Sequence, residues 1–132
     1  MTASDRAGMT VLLVEDEPDV RLVVAMLLRR AGLTVLQAGD GREAIEVLEA
    51  ERDAVDVVLL DVLMPVMTGP EALPVLRELV PDLPVVFYSG YDRGEVAPLL
   101  SEDPPYTSFL SKPADQDTLL AELDRAHAGR RA

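Results

Sequence analysis

The sequence predicts an α/β domain built on a five-stranded parallel sheet with helices on both faces. Three observations carry this. Short apolar runs rich in β-branched residues alternate with longer segments of helical period, the pattern of repeated strand–helix units. The run Val57-Val58-Leu59-Leu60 is apolar without interruption, as suits a strand buried on both faces of a parallel sheet. The connections are short and carry Gly and Pro, which leaves no room for a separate layer or linker.

The elements follow in order. Val11-Leu12-Leu13-Val14 reads as the first strand, and Glu15-Asp16-Glu17 follows it directly. Pro18 suits a first helical turn, where its missing N–H is harmless. Val20, Val23, Val24, Leu27, Leu28 and Ala31 recur at helical spacing and predict the buried stripe of that helix, with Gly32 as its stop. Leu33 to Ala38 is a more mixed strand, expected at a sheet edge. Gly39-Asp40-Gly41 turns into a second helix with Ala44, Ile45 and Leu48 inward. The third strand runs into Asp61. Gly69-Pro70 opens a third helix with Leu73, Leu76, Leu79 and Val80 buried, and Pro74 lies near enough to its start to be tolerated. Leu83 to Tyr88 is the fourth strand, ended by Ser89-Gly90. A fourth helix, from about Arg93 to Leu100, is interrupted by Pro98. Ser108 to Ser111 is the fifth strand, ending at Lys112-Pro113. A last helix carries Leu119, Leu120 and Leu123. Right-handed crossovers then favour the flavodoxin-like strand order 2-1-3-4-5. A single domain over residues 9–128 is expected, with residues 1–8 and 129–132 as flexible tails.

At 132 residues the chain suffices for one core. An apolar fraction of 48% with 27% charged residues describes a globular protein. No apolar run approaches the ~20 residues of a membrane span, and the N-terminus lacks a signal-peptide layout. With no cysteine there is neither a disulfide framework nor a thiolate site, and a cytoplasmic location is expected. A net charge of −12 would repel phosphate backbones, so direct nucleic-acid binding is not expected. Lys112 is the only lysine among twelve basic residues, and it stands at a strand end.

In the order 2-1-3-4-5 the carboxyl ends of the central strands meet at one crevice, where open α/β sheets bind ligands. Glu15 and Asp16 leave strand 1, Asp61 strand 3, Ser89 strand 4 and Lys112 strand 5. Singly, these are ordinary capping or turn residues; their shared edge is the signal. Two carboxylates about 4 Å apart repel by roughly 4 kcal/mol at an effective dielectric near 20. Three of them raise one another's pKa or recruit a cation. The donors are all oxygen, so a hard ion is implied, and Mg²⁺ fits best. A metal and an ammonium beside a carboxylate suit phosphoryl transfer, with Asp61 as the nucleophile that becomes an acyl phosphate.

These residues resemble the receiver domain of two-component response regulators. The matching stretches are Val14-Glu15-Asp16-Glu17-Pro18, Leu59 to Gly69 around Asp61, Ser89-Gly90, and Phe109-Leu110-Ser111-Lys112-Pro113, and the resemblance spans about Met9 to His127. It implies that Asp61 takes phosphate from the phosphohistidine of a sensor histidine kinase or phosphotransfer protein. It implies that Asp16, Asp61 and the Leu63 backbone carbonyl bind Mg²⁺, with Glu15 assisting through water. Lys112 would contact the phosphoryl group, the Ser89 hydroxyl would move to bond it, and Phe109 would swing inward after it. A downstream protein would then dock on the face formed by the predicted fourth helix, fifth strand and last helix. The only catalysis expected is of the chain's own phosphorylation and dephosphorylation.

Two departures from the family pattern matter. Leu63, two after Asp61, and Tyr91, two after Ser89, are bulky where polar groups are usual, which predicts slow self-dephosphorylation. Pro98 weakens the fourth helix and any dimer made through it. Other readings fit less well. A haloacid-dehalogenase phosphatase needs a second Asp two residues after its first-strand Asp, and here Asp16 is followed by Glu17-Pro18. An FMN-binding flavodoxin-like protein needs a phosphate loop where Glu15-Asp16-Glu17 would repel one. A non-phosphorylated pseudo-receiver would lack one of the acids or the lysine. The reading expects no output domain within this sequence after the last helix, and a stand-alone regulator and the receiver segment of a hybrid histidine kinase both fit.

Overall fold

β1 (Thr10–Val14) lies between β2 (Thr34–Ala38) and β3 (Val57–Leu60); β4 (Val85–Ser89) and β5 (Thr107–Ser111) complete the sheet. Its order is β2-β1-β3-β4-β5, with every neighbouring pair parallel. The computed structural model describes residues 8–90, 94 and 106–131. Four helices are described over most of their length: α1 (Pro18–Arg30), α2 (Gly41–Glu51), α3 (Gly69–Leu79) and α4 (Gln116–Arg131). Of the helix predicted near Arg93 to Leu100 only Gly94 is among the described residues, and Tyr91 lies outside them.

Alternation along the strands divides the core in two. Leu12, Val14, Val58, Leu60, Val85 and Phe87 face Ala44 and Leu48 of α2 and Ala72, Leu73 and Leu76 of α3. Val11, Leu13, Val57, Leu59, Val86 and Tyr88 face Val24, Ala25 and Leu28 of α1 and Leu119, Leu120 and Leu123 of α4. β1, β3 and β4 are almost wholly buried, as strands with helices on both sides must be. Among the described residues, no helix is long and apolar enough to cross a membrane.

One expectation is corrected. The buried stripe of α1 is Val24, Ala25 and Leu28, whereas Val20, Leu22, Val23 and Met26 are exposed. The helix is apolar over more of its circumference than one sheet face can cover, so periodicity alone misassigned Val20 and Val23. The last helix runs to Arg131, into the stretch expected as a tail from residue 129. Arg130 holds it down, donating to the Val55 carbonyl at 3.3 Å and pairing with Asp82 at 3.2 Å.

The segment between Asp61 and α3 is fixed by a capping box at Thr68. The Glu71 amide donates to Thr68 Oγ1 at 3.2 Å, and the Thr68 amide donates to Glu71 Oε1 at 2.9 Å. Gly69 then donates its N–H to the Val62 carbonyl at 2.8 Å. A Cβ at Gly69 would lie 2.2 Å from the Asp61 carbonyl oxygen, so only glycine lets α3 begin this close to the strand end.

Candidate functional site

Each acid is delivered by the end of a strand. Glu15 continues β1, its amide bonded to the Ala38 carbonyl at 3.1 Å, and its side chain is buried. Glu15 Oε2 accepts the Glu17 amide at 3.1 Å, which turns the chain outward at Asp16 and into α1. Asp61 leaves β3 with its amide on the Val14 carbonyl at 3.0 Å, and its Oδ1 accepts the Val62 amide at 2.8 Å. One carboxylate oxygen each from Glu15, Asp16 and Asp61 lies within 4.8 Å of the others. This is the spacing at which three acids share one cation or repel one another.

Lys112 enters from the end of β5. Its ammonium is ion-paired with Glu15 Oε1 and stands 3.5 Å from Asp61 Oδ2. Its amide donates to the Ser89 carbonyl at 2.8 Å, which ties the end of β5 to the end of β4, and the following Lys112–Pro113 peptide is cis. Ser89 is buried at that end of β4. Phe109 is half-buried one strand away, stacked on Phe87 with centroids 5.2 Å apart. Leu63 sits just past Asp61 and is 46% exposed. Thus Glu15, Asp16, Asp61 and Lys112 converge on one crevice, Ser89 is joined to the Lys112 backbone, and Phe109 lies off to the β4–β5 side.

Residues 11–124 fit the model of the response regulator receiver domain. The chain belongs to that family. The receiver is 44% identical over 112 residues to the sensor kinase CckA of Brucella abortus, covering 84% of this chain and 12% of the kinase. It is 42% identical over 95 residues to the probable transcriptional regulatory protein TcrX of Mycobacterium tuberculosis, covering 72% of this chain and 40% of that protein. Its structure resembles the crystal structure of the receiver domain of the hybrid histidine kinase CckA, with a TM-score of 0.76 and 36% identity. That match covers 89% of this chain and 98% of the other. Receivers therefore occur here as segments of much longer proteins, and the chain spans only a small part of those relatives' length.

The receiver's acids do not titrate alike. Burial pushes the Asp61 carboxyl up to about 6; the Lys112 ammonium pulls it down, and the neighbouring Glu15 raises it. Burial also raises Glu15, but its hydrogen bonds from Lys112 and the Glu17 amide overcome this and hold it below its ordinary value. Burial and the Glu15 charge raise Asp16. Lys112 is lowered by burial but raised further by Glu15 and Asp61, so it stays an ammonium. The one lysine thus neutralises Glu15 most fully and leaves Asp16 and Asp61 with excess negative charge.

Two residues that sequence reading missed shape the site. Arg21 of α1 reaches back to donate to the Glu15 carbonyl at 2.8 Å, bracing the loop that carries Glu15 and Asp16. Nothing marks it in the sequence beyond its place one turn into a helix. Tyr88 underlies Lys112, and the signal for it was present: an aromatic with a polar tip directly before Ser89 in a buried strand.

Proposed function

We propose that the chain is the phosphoacceptor of a cytoplasmic two-component or phosphorelay system, with Asp61 as the residue that is phosphorylated. The observation that carries this is the pairing of Asp61 Oδ2 with the Lys112 ammonium at 3.5 Å inside a cluster of three carboxylates. The donor set is all oxygen and carries more negative charge than Lys112 balances, which fits Mg²⁺. Asp16 and Asp61 would hold it with the Leu63 carbonyl, and Glu15 would assist through water. When bound, the ion neutralises phosphoryl oxygens and screens the acids from one another.

In the reaction Asp61 Oδ2 attacks the phosphorus of a phosphohistidine. The new O–P bond forms as the N–P bond breaks, and the imidazole nitrogen keeps the bonding pair and takes up a proton from water. Asp61 is suited to this because at neutral pH it is mostly ionised, yet too poorly solvated to be inert. Lys112 already lies beside Oδ2 and balances the charge brought in by the phosphoryl oxygens. The Ser89 hydroxyl then moves to bond the phosphoryl group. Phe109 follows it, changing the surface of β5 and α4 on which a downstream partner docks.

A phosphodonor must bring its histidine to this crevice. Beside Lys112 runs a groove of about 540 Å³ lined by Val20, Val23 and Leu27 of α1 with Tyr88, Pro113 and Ala114. Its apolar outer wall, Val23 being 57% exposed, is suited to an apolar helical face on the donor. The likeness to the CckA sensor kinase favours a receiver that works within or beside a hybrid kinase.

The test is incubation with Mg²⁺ and acetyl phosphate, followed by intact mass and peptide mapping. One phosphoryl group on Asp61 is expected, with none in Asp61→Asn or when the metal is chelated. Labelling of Asp61→Asn at the unmutated rate would sink the reading.

A further inference from the structure

The loop that presents Lys112 has few ways to be held. Pro113 has no N–H, so across Lys112-Pro113-Ala114 the backbone offers two donors. Both go to consecutive residues of β4. The Lys112 amide bonds the Ser89 carbonyl at 2.8 Å, and the Ala114 amide bonds the Tyr88 hydroxyl at 3.0 Å. The Lys112 ammonium also stands over the Tyr88 ring, 5.5 Å from its centroid. Tyr88 is 7% exposed and packed among the residues that face α1 and α4, so its ring has little freedom. A leucine or valine there would fill the same core space but offer neither an acceptor for Ala114 nor a π-face for the ammonium.

We propose that Tyr88 is a positioning residue for Lys112, fixing the loop at its hydroxyl and the ammonium at its ring. This deepens the phosphoacceptor reading and rests on it for its effect on rate. The physical reason is that a lysine stem has four rotatable bonds, and an ammonium that must meet a phosphoryl group gains from being held near Asp61 beforehand. Glu15 holds that ammonium from the β1 side and Tyr88 from the β4 side. Since Tyr88 adjoins Ser89, a movement of Ser89 toward a phosphoryl group is transmitted to the Lys112 loop through one peptide unit.

Because Lys112 is the single lysine, ¹⁵N-lysine labelling reports its side chain without ambiguity. In the unmutated protein its ε-methylene protons should be shifted upfield by the Tyr88 ring current, and the Ala114 amide should be protected from hydrogen exchange. Tyr88→Phe keeps the ring and removes the acceptor. It should speed Ala114 exchange and lower the maximal rate of labelling by acetyl phosphate about 3–10-fold, the worth of one hydrogen bond, with Mg²⁺ affinity unchanged. Tyr88→Leu should also abolish the upfield shift. Random-coil Lys112 shifts in the unmutated protein, or Tyr88→Phe with unchanged Ala114 exchange and rate, would overturn the proposal and leave Tyr88 as core packing. If the unmutated protein takes no phosphate at all, the phosphoacceptor reading fails. The resonance and exchange measurements still decide whether Tyr88 holds the loop.

Discussion

Replacing Asp61 with Asn should make the metal-free protein more stable at neutral pH, although it removes a carboxylate partner of Lys112. The folded protein holds the Asp61 carboxyl at about 6 against 3.8 for the ordinary group. The folded state therefore binds the Asp61 proton more tightly than the unfolded chain does. A raised acid destabilises the fold when charged, so stability falls as pH rises from about 4 to about 6 and stays lower above that. The full difference is about 3 kcal/mol, and solvent screening in an open crevice reduces it to about 1–2 kcal/mol. For a domain of this size that is a rise in Tm of roughly 3–10 °C. The assay is thermal unfolding with a chelator at pH 7.5, 5.5 and 4. The gain from Asp61→Asn should be full at the first, partial at the second and close to nothing at the third. Added Mg²⁺ should raise the Tm of the unmutated protein more than that of the variant, since only the former has the third acid. A variant less stable than the parent at pH 7.5 would show that the Lys112 pair outweighs burial and repulsion, and the account of the site's charge balance would be wrong.

Gly69→Ala should cost about 2–3 kcal/mol in urea unfolding, because its methyl would press on the Asp61 carbonyl oxygen and on Phe87, and a loss under 0.5 kcal/mol would mean α3 shifts freely. Leu63→Asn should shorten the acyl-phosphate lifetime about 2–10-fold, measured by loss of phosphoprotein after the donor is removed, as a polar side chain replaces an apolar one beside the attacked phosphorus and can orient a water. An unchanged or longer lifetime counts against the crowding argument. Arg130→Ala should lower stability by about 0.5–1 kcal/mol and speed amide exchange in the last turn of α4, and unaltered exchange there would remove Arg130 as the reason that turn is ordered.

How much of this was readable beforehand depended on what kind of force decides each feature. Strand order followed from alternation and handedness, which are properties of backbone geometry and chirality, and β2-β1-β3-β4-β5 came out as expected. The convergence of Glu15, Asp16, Asp61 and Lys112 followed in turn, because a residue that ends a parallel strand has its location fixed by the sheet. What stayed hidden was set by competition between neighbours. Helical period in α1 marked six apolar positions, but a sheet face accepts only those that reach it, and Val20 and Val23 were left outside. The end of α4 looked like tail because Ala128-Gly129 is weak locally, while Asp82, a distant partner for Arg130, supplies what the segment lacks. Arg21 belongs to the same class: its value lies in a carbonyl six residues back that only the folded turn exposes. Tyr88 is the instructive middle case. Its burial was legible from the strand and its need for a hydrogen-bond partner from its hydroxyl; only the partner's identity required the structure. A buried polar tip in an apolar strand, next to a strand-end serine at the ligand edge of the sheet, is thus a pointer that sequence reading can use, since burying such a group unpaired would cost about 1–3 kcal/mol and the fold must provide a donor or acceptor within reach.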